Sequence, residues 1–366
     1  MGTKDKPSFM QDKLTSPINI QKVENSKINT LDFDNIQFGK IFTDHMFIMD
    51  YEDGEWGAPT IKPFAPLVMH PATSVLHYGQ SIFEGLKAYK NEDDEVYIFR
   101  PEQNAKRLNI SAERMCMPSV PEDVFVEGIK QLISLDSAWI PKKSGSSLYI
   151  RPLLFATDEY IGVKPSNTYR LMIFMAPVDK YYSGAVKVKI EEHFSRAVRG
   201  GTGFAKAAGN YAASLYPAKQ AQAEGFDQLV WTDAVEHKYI EESGTMNIMF
   251  RSGNKIFSPK VSDSILSGIT RDSLLRIAES WGYEVEEKKI EVKEIIDLLE
   301  DDKLDEAFGA GTAATIARIQ TIGFRGKLYN LSDSDSWEFS NRASKYLEEL
   351  KKGIQEDPFN WVVRVV

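Results

Sequence analysis

The 366-residue chain is long enough for two domains with well-buried cores, and 42% hydrophobic with 27% charged residues is the composition of a soluble globular protein. A net charge of −9 without any basic run argues against a nucleic-acid surface. The single cysteine, Cys116, excludes an internal disulfide, argues against a thiolate zinc site and fits a reducing compartment. No apolar leader opens the sequence and no apolar segment reaches membrane-spanning length, so the expected location is cytoplasmic.

Residues 1–30 read as a polar arm, and a small domain is predicted over 31–176. Residues 44–51 alternate as a strand and break at Asp53-Gly54, a hairpin turn. Residues 86–90 and 96–99 flank Asn91-Glu-Asp-Asp-Glu95 as a second hairpin, and 101–115 read as a helix opening at Pro101. Residues 148–155 and 169–175 are strand-like. The Pro- and Gly-bearing stretch 176–184 reads as the connection between domains, with the interdomain loop at 177–185.

A larger domain is predicted from 186 to 366. Strands are expected at 186–191, 228–231, 239–242, 247–250 and 255–257, and helices at 210–223, 270–281, 292–300 and 334–352. The class is α+β.

Chemistry is concentrated around Lys206, in Arg199-Gly-Gly-Thr-Gly-Phe-Ala-Lys206-Ala-Ala-Gly-Asn-Tyr211. No Asp or Glu occurs from His193 to Ala223, so this lysine lacks local ion-pair partners, while Arg196 and Arg199 are candidate cationic neighbours. Such surroundings favour the neutral amine, a nucleophile toward carbonyl carbons. A lone lysine of this kind is more often a surface residue beside a glycine-rich loop; its company changes that. Tyr211 opens the following helix and offers a phenol. Glu241-Glu242 ends a strand, where alternation sends one carboxylate inward and one outward, and an inward carboxylate needs a proton-bearing partner such as a pyridinium N–H. Ser267-Gly-Ile-Thr-Arg271 opens a helix at a glycine, and Phe308-Gly-Ala-Gly-Thr-Ala-Ala314 is a small-residue turn; both present backbone N–H groups to an anion. Arg107 can clamp a phosphate. An aldehyde-reactive amine, a ring-nitrogen carboxylate and a phosphate site together describe a pyridoxal phosphate pocket.

From residue 36 to 350 the chain resembles the branched-chain amino acid aminotransferases, fold-type IV pyridoxal phosphate enzymes. The matching motifs include Phe83-Glu-Gly-Leu-Lys87, Phe99-Arg-Pro101, Leu148-Tyr-Ile-Arg151, Lys206-Ala-Ala-Gly-Asn-Tyr211, Glu242-Ser-Gly-Thr-Met-Asn247 and Gly311-Thr-Ala313. The resemblance implies a pseudo-barrel in the larger domain and a pyridoxal 5′-phosphate imine on Lys206. It places the pyridine nitrogen on Glu242, the cofactor hydroxyl on Tyr211 and the phosphate on Arg107, the Ile269 and Thr270 amides and Thr312. The substrate carboxylate falls to Thr245 and the Ala313 amide, and the apolar pocket to Phe38, Phe83 and Tyr149. Arg151 is the expected partner for the glutamate side-chain carboxylate. Tyr78, Ile161 and Val163 are expected from the second chain of a homodimer. The implied reaction is ping-pong transfer of an amino group between L-Leu, L-Ile or L-Val and 2-oxoglutarate.

Some family members carry Cys-x-x-Cys after the Gly-Thr-Ala turn; Ala314-Thr-Ile-Ala317 stands there in this chain, so that thiol regulation is not expected. Two rivals are distinguishable. Gly309-Ala-Gly311-Thr-Ala-Ala314 also fits a loose dinucleotide fingerprint, which needs a βαβ unit to mean anything. D-amino acid aminotransferases and aminodeoxychorismate lyases share the lysine and glutamate but not the aromatic pocket set. The five histidines form no metal-binding pair.

Overall fold

A computed structural model describes residues 17–180 and 184–366. The strands form two ten-stranded sheets in a two-domain α+β architecture. In the first sheet the order is Asn19–Ile20, Thr60–Pro63, His45–Glu52, Tyr169–Val178, Ser147–Ala156, Leu86–Lys90, Val96–Phe99 and Val362–Arg364. At its centre Ser147–Ala156 pairs antiparallel with Tyr169–Val178 along their whole length. Alternation sends Leu148, Ile150 and Leu154, with Leu171, Ile173 and Met175, into one core. The helices Pro101–Arg114 and Glu122–Leu135 cover that face. Tyr149 and Arg151, at the intervening positions, project from the opposite face. This parity aims them at the space between the sheets.

In the second sheet, six strands close into a ring: Met246–Ser252, Glu306–Gly311, Thr315–Phe324, Val186–Ile190, Gln228–Thr232 and Tyr239–Ser243. The last pairs back onto the first, with Glu242 opposite Asn247 and Ser243 opposite Met246. Closure removes free edges and brings the two ends of the Glu242-to-Asn247 motif side by side. The helices Ile269–Ser280 and Phe339–Lys351 pack together on strand residues Met249, Ile256 and Phe308.

The hairpins stand where the sequence put them. Asp53 and Gly54 both have positive φ, 52° and 85°, the geometry of a tight two-residue turn whose twist matches its strands. Several features differ from expectation, among them residues 308–311 of the predicted turn over 308–314, which belong to the strand Glu306–Gly311 because it is paired on both sides. Within the predicted polar arm, residues 17–30 dock on the first domain: Asp44 accepts from Ser26 Oγ, the Lys27 amide and Trp139 Nε1, and the Val23 amide donates to His45 Nε2; residues 1–16 lie outside the described part. The strand Tyr169–Val178 runs into the stretch predicted as connection, because its partner Ser147–Ala156 continues beside it; residues 181–183 of that stretch are also outside the described part. The helix predicted over 334–352 is a 3-10 turn, Ser334–Ser336, followed by Phe339–Lys351. Finally, Glu122–Leu135 and Thr315–Phe324 were not anticipated, and Val362–Arg364 returns to the first sheet beside Val96–Phe99.

Candidate active site

A cavity of about 510 Å³ opens between the two sheets. Lys206 enters it from a loop pinned on both sides. The Lys206 amide donates to Ser111 Oγ at 2.9 Å, and its carbonyl accepts from the Phe83 amide at 3.1 Å, both from the first domain. Asn210 braces the loop from within by donating to the Thr202 and Ala205 carbonyls. The Nζ donates to the Tyr211 hydroxyl at 2.8 Å and lies 4.9 Å from the Phe83 ring centre. Among the described residues no carboxylate is within ion-pairing distance of it, as the local sequence predicted.

Glu242 faces the amine from the barrel's closing strand and is 4% exposed. Its Oε1 accepts from Asn247 Nδ2 at 3.0 Å and from the Leu266 amide at 3.1 Å, and its Oε2 meets Arg196 Nε at 2.6 Å. Burial pushes its carboxyl above the usual range, against the opposing pull of Arg196. Arg196 was expected near Lys206 as a charge neighbour; it serves Glu242 instead. Adjacent Glu241 does point the other way, but not to solvent. It is 9% exposed, takes a hydrogen bond from Ser264, and burial raises its carboxyl as well. Strand alternation separates the pair; loops on the barrel's other face bury the outer member.

Arg107 reaches the cavity from the helix Pro101–Arg114 and is held rigidly. Its Nε and Nη2 donate to the two oxygens of Glu84 at 2.7 and 2.8 Å, and its Nη1 donates to the Ser267 carbonyl at 3.0 Å. Glu84 is fully buried; burial opposes its ionisation, but the charge and hydrogen bonds of Arg107 outweigh that and hold its carboxyl below the usual range. Beside Arg107, the helix Ile269–Ser280 begins at the cavity wall, so Ile269 and Thr270 are its first two residues. Gly268 is required there, because a Cβ would overlap Asn247 Oδ1.

On the first-domain side, Arg151 Nη2 donates to the Tyr149 hydroxyl at 2.9 Å, and its guanidinium lies 4.6 Å from the Phe83 ring centre. Phe38 packs edge-on against Tyr149 at 5.4 Å. Thr245, Thr312 and Ala313 complete the wall. The cavity thus gathers every predicted site residue except Tyr78, Ile161 and Val163, which lie on the surface, 40%, 69% and 90% exposed. Glu84 and Asn247 were quoted only within their motifs, and Arg196 was assigned to Lys206 rather than to Glu242. Nothing local marks them; each acts by holding a residue that was identified.

The dinucleotide rival fails on topology. Gly309 and Gly311 belong to the strand Glu306–Gly311, which turns directly into the antiparallel strand Thr315–Phe324, not into a helix. No cluster of metal-ligating side chains occurs among the described residues, and no described helix is long and apolar enough to cross a membrane.

The amino-transferase class IV family profile matches residues 81–322. Branched-chain-amino-acid aminotransferase 2 of Bacillus subtilis is 45% identical over 338 residues, covering 91% of this chain and 93% of its own length. Branched-chain amino acid aminotransferase of Escherichia coli shares the fold at a TM-score of 0.72 with 26% identity, over 88% of this chain and 99% of its own. The T.th. branched-chain amino acid aminotransferase solved with N-(5′-phosphopyridoxyl)-L-glutamate gives 0.70 and 25%, over 87% and 98%. Around this cavity, where a lysine amine faces a buried carboxyl, the chain therefore belongs to the class IV aminotransferases, in their branched-chain-amino-acid group.

Proposed function

We propose that this cavity holds pyridoxal 5′-phosphate on Lys206 and transfers amino groups reversibly between L-leucine, L-isoleucine or L-valine and 2-oxoglutarate. One observation carries the reading: an amine without a carboxylate partner shares a cavity with a buried carboxyl whose burial favours a proton. The residues present fit the cofactor. The Lys206 amine suits an aldehyde, Glu242 suits a protonated ring nitrogen, and the start of the helix Ile269–Ser280 with Arg107 and Thr312 suits a phosphate. The T.th. relative solved with a phosphopyridoxyl amino acid supports it.

Bound there, pyridoxal phosphate supplies an aldehyde carbon that exchanges amines and a ring that takes up the electron pair left at the substrate Cα. The chain supplies the rest. Glu242 keeps the proton on the ring nitrogen, and Arg196 and Asn247 keep Glu242 in place. The Tyr211 hydroxyl, within hydrogen-bond reach of Nζ, orients the amine and meets the cofactor hydroxyl. Lys206 Nζ, when it is a free amine, would be the base that takes the α proton and returns it to the carbon on the other side of the substrate nitrogen. Thr245 and the Ala313 amide receive the substrate carboxylate. Phe38, Phe83 and Tyr149 present apolar surface to the branched side chain, and Arg151 receives the second carboxylate of glutamate. Tyr78, Ile161 and Val163 are apolar, exposed and outside the cavity, which supports a homodimer in which each chain completes the other's site. The single cysteine supports a cytoplasmic location.

The test is the visible absorption of the purified protein. An absorption band of the bound cofactor should bleach with L-leucine alone and return with 2-oxoglutarate. No band after adding pyridoxal phosphate would refute the Lys206 assignment; a band indifferent to L-leucine would keep the cofactor and refute the substrate class.

A further inference from the structure

Behind the turn at 312–315 lies a second cavity of about 20 Å³, lined in part by Lys87, Tyr89, Phe99, Thr312 and Lys351. That is room for about one water molecule. Lys87 and Lys351 are 7% and 4% exposed, and neither has an ion-pair partner among the described residues. Both amines end on the same turn. Lys87 Nζ donates to the Ala313 carbonyl at 2.8 Å, and Lys351 Nζ donates to Thr315 Oγ1 at 3.2 Å. Thr315 has φ of 61°, a conformation that strains a β-branched residue and needs such fastening. The opposite side of this turn lines the active site through Thr312 and Ala313.

Two buried, unpaired lysines are costly, and methionine would fill the same space without that cost. Burial pushes the Lys87 amine down to about 8; burial, then the nearby charge of Lys87, pushes Lys351 down to about 7. The other titratable groups facing the pair do not neutralise it. Glu348 pulls Lys351 upward but is itself engaged by Ser144, Gly145 and Lys352. Burial holds the Tyr89 phenol above its usual range, so it stays neutral. Across the turn, Arg107, the arginine assigned to the phosphate, already has its charge matched by Glu84. A phosphate monoester brings about two negative charges. Arg107 and Glu84 together offer it hydrogen bonds but no net charge.

We propose that Lys87 and Lys351 are positioning residues that fasten the 312–315 turn from behind and supply the positive charge for the cofactor phosphate, taking up protons from solvent when it binds. This rests on the placement of the phosphate given above. The pair touches neither substrate nor cofactor; it acts through the turn and through its field.

The experiment is calorimetric titration of the full cofactor-stripped chain with pyridoxamine 5′-phosphate at about pH 8, in two buffers of different ionisation heat, which yields the protons taken up. Wild type should take up roughly one proton more than the Lys87→Met/Lys351→Met variant, and each substitution should weaken binding about tenfold from the lost field. Equal proton uptake in both proteins overturns the inference. Absence of binding to wild type itself overturns the phosphate placement, a separate and visible failure. Should the double variant not fold, wild type alone decides: inorganic phosphate, almost wholly a dianion at about pH 8.5, should carry roughly one proton in with it. Binding without proton uptake rejects the proposal.

Discussion

Glu84→Gln isolates what holds the phosphate-facing arginine. Among the described residues, Glu84 Oε2 accepts from Arg107 Nη2, Asn104 Nδ2 and the Gly85 amide, whereas Oε1 accepts only from Arg107 Nε. Glutamine keeps its carbonyl toward the three donors and turns its NH₂ against Arg107 Nε, so one hydrogen bond becomes a donor–donor contact and the buried charge of Arg107 loses its partner. Breaking a buried pair this way costs about 3 kcal/mol, the lower end of the usual range, since most acceptors survive. For a domain of this size that is a fall of roughly 10 °C in the Tm of the cofactor-free protein. A phosphate then gives Arg107 the partner it lacks. The rise in Tm on adding pyridoxal 5′-phosphate should therefore be larger in Glu84→Gln than in wild type. Thermal denaturation followed by far-UV circular dichroism, with and without cofactor, measures both. A small loss without cofactor, or an equal cofactor-induced rise in both proteins, refutes the view that Glu84 offsets the charge of Arg107.

Arg151→Ala should lower kcat/KM for glutamate by about ten- to a hundredfold, the worth of a charge-assisted hydrogen bond, and for leucine by less; equal losses measured by steady-state kinetics would remove Arg151 from carboxylate recognition. Gly268→Ala forces Asn247 away from Glu242 and the Leu266 carbonyl, and should cost about 1–3 kcal/mol in chemical denaturation together with weaker cofactor binding. The cofactor-free protein should also become more stable as pH rises from about 7 to about 10. Lys87 and Lys351 release their protons lower in the folded chain than the usual amine value, so over that window the unfolded chain binds more protons. The gain should reach about 1.4 kcal/mol per pH unit for each proton of difference, and urea midpoints across the range should lose this slope in the Lys87→Met/Lys351→Met variant.

The amino-acid order by itself determined the local elements and the identity of the reactive groups. Short-range physics suffices for these: Asp53-Gly54 sets its own turn, the alternation over 148–155 fixes which side chains share a face, and a carboxylate-free stretch around Lys206 is visible without a fold. The helix Glu122–Leu135 was equally legible, with Val124, Phe125, Ile129, Leu132 and Ile133 at helical spacing. The strand Thr315–Phe324 was not, since a mixed run containing Arg318 and Gln320 becomes a strand only between two partners. Tertiary structure alone decided the pairings that make the site work. Glu84 and Arg107 are 23 residues apart and meet through a hairpin and a helix; Arg196 meets Glu242 because the barrel closes at that strand. The buried state of Glu241 and of the two lysines behind the 312–315 turn comes from packing between distant elements. Which group a side chain can become is written in the sequence; its partner and its protonation are set by what the fold brings beside it.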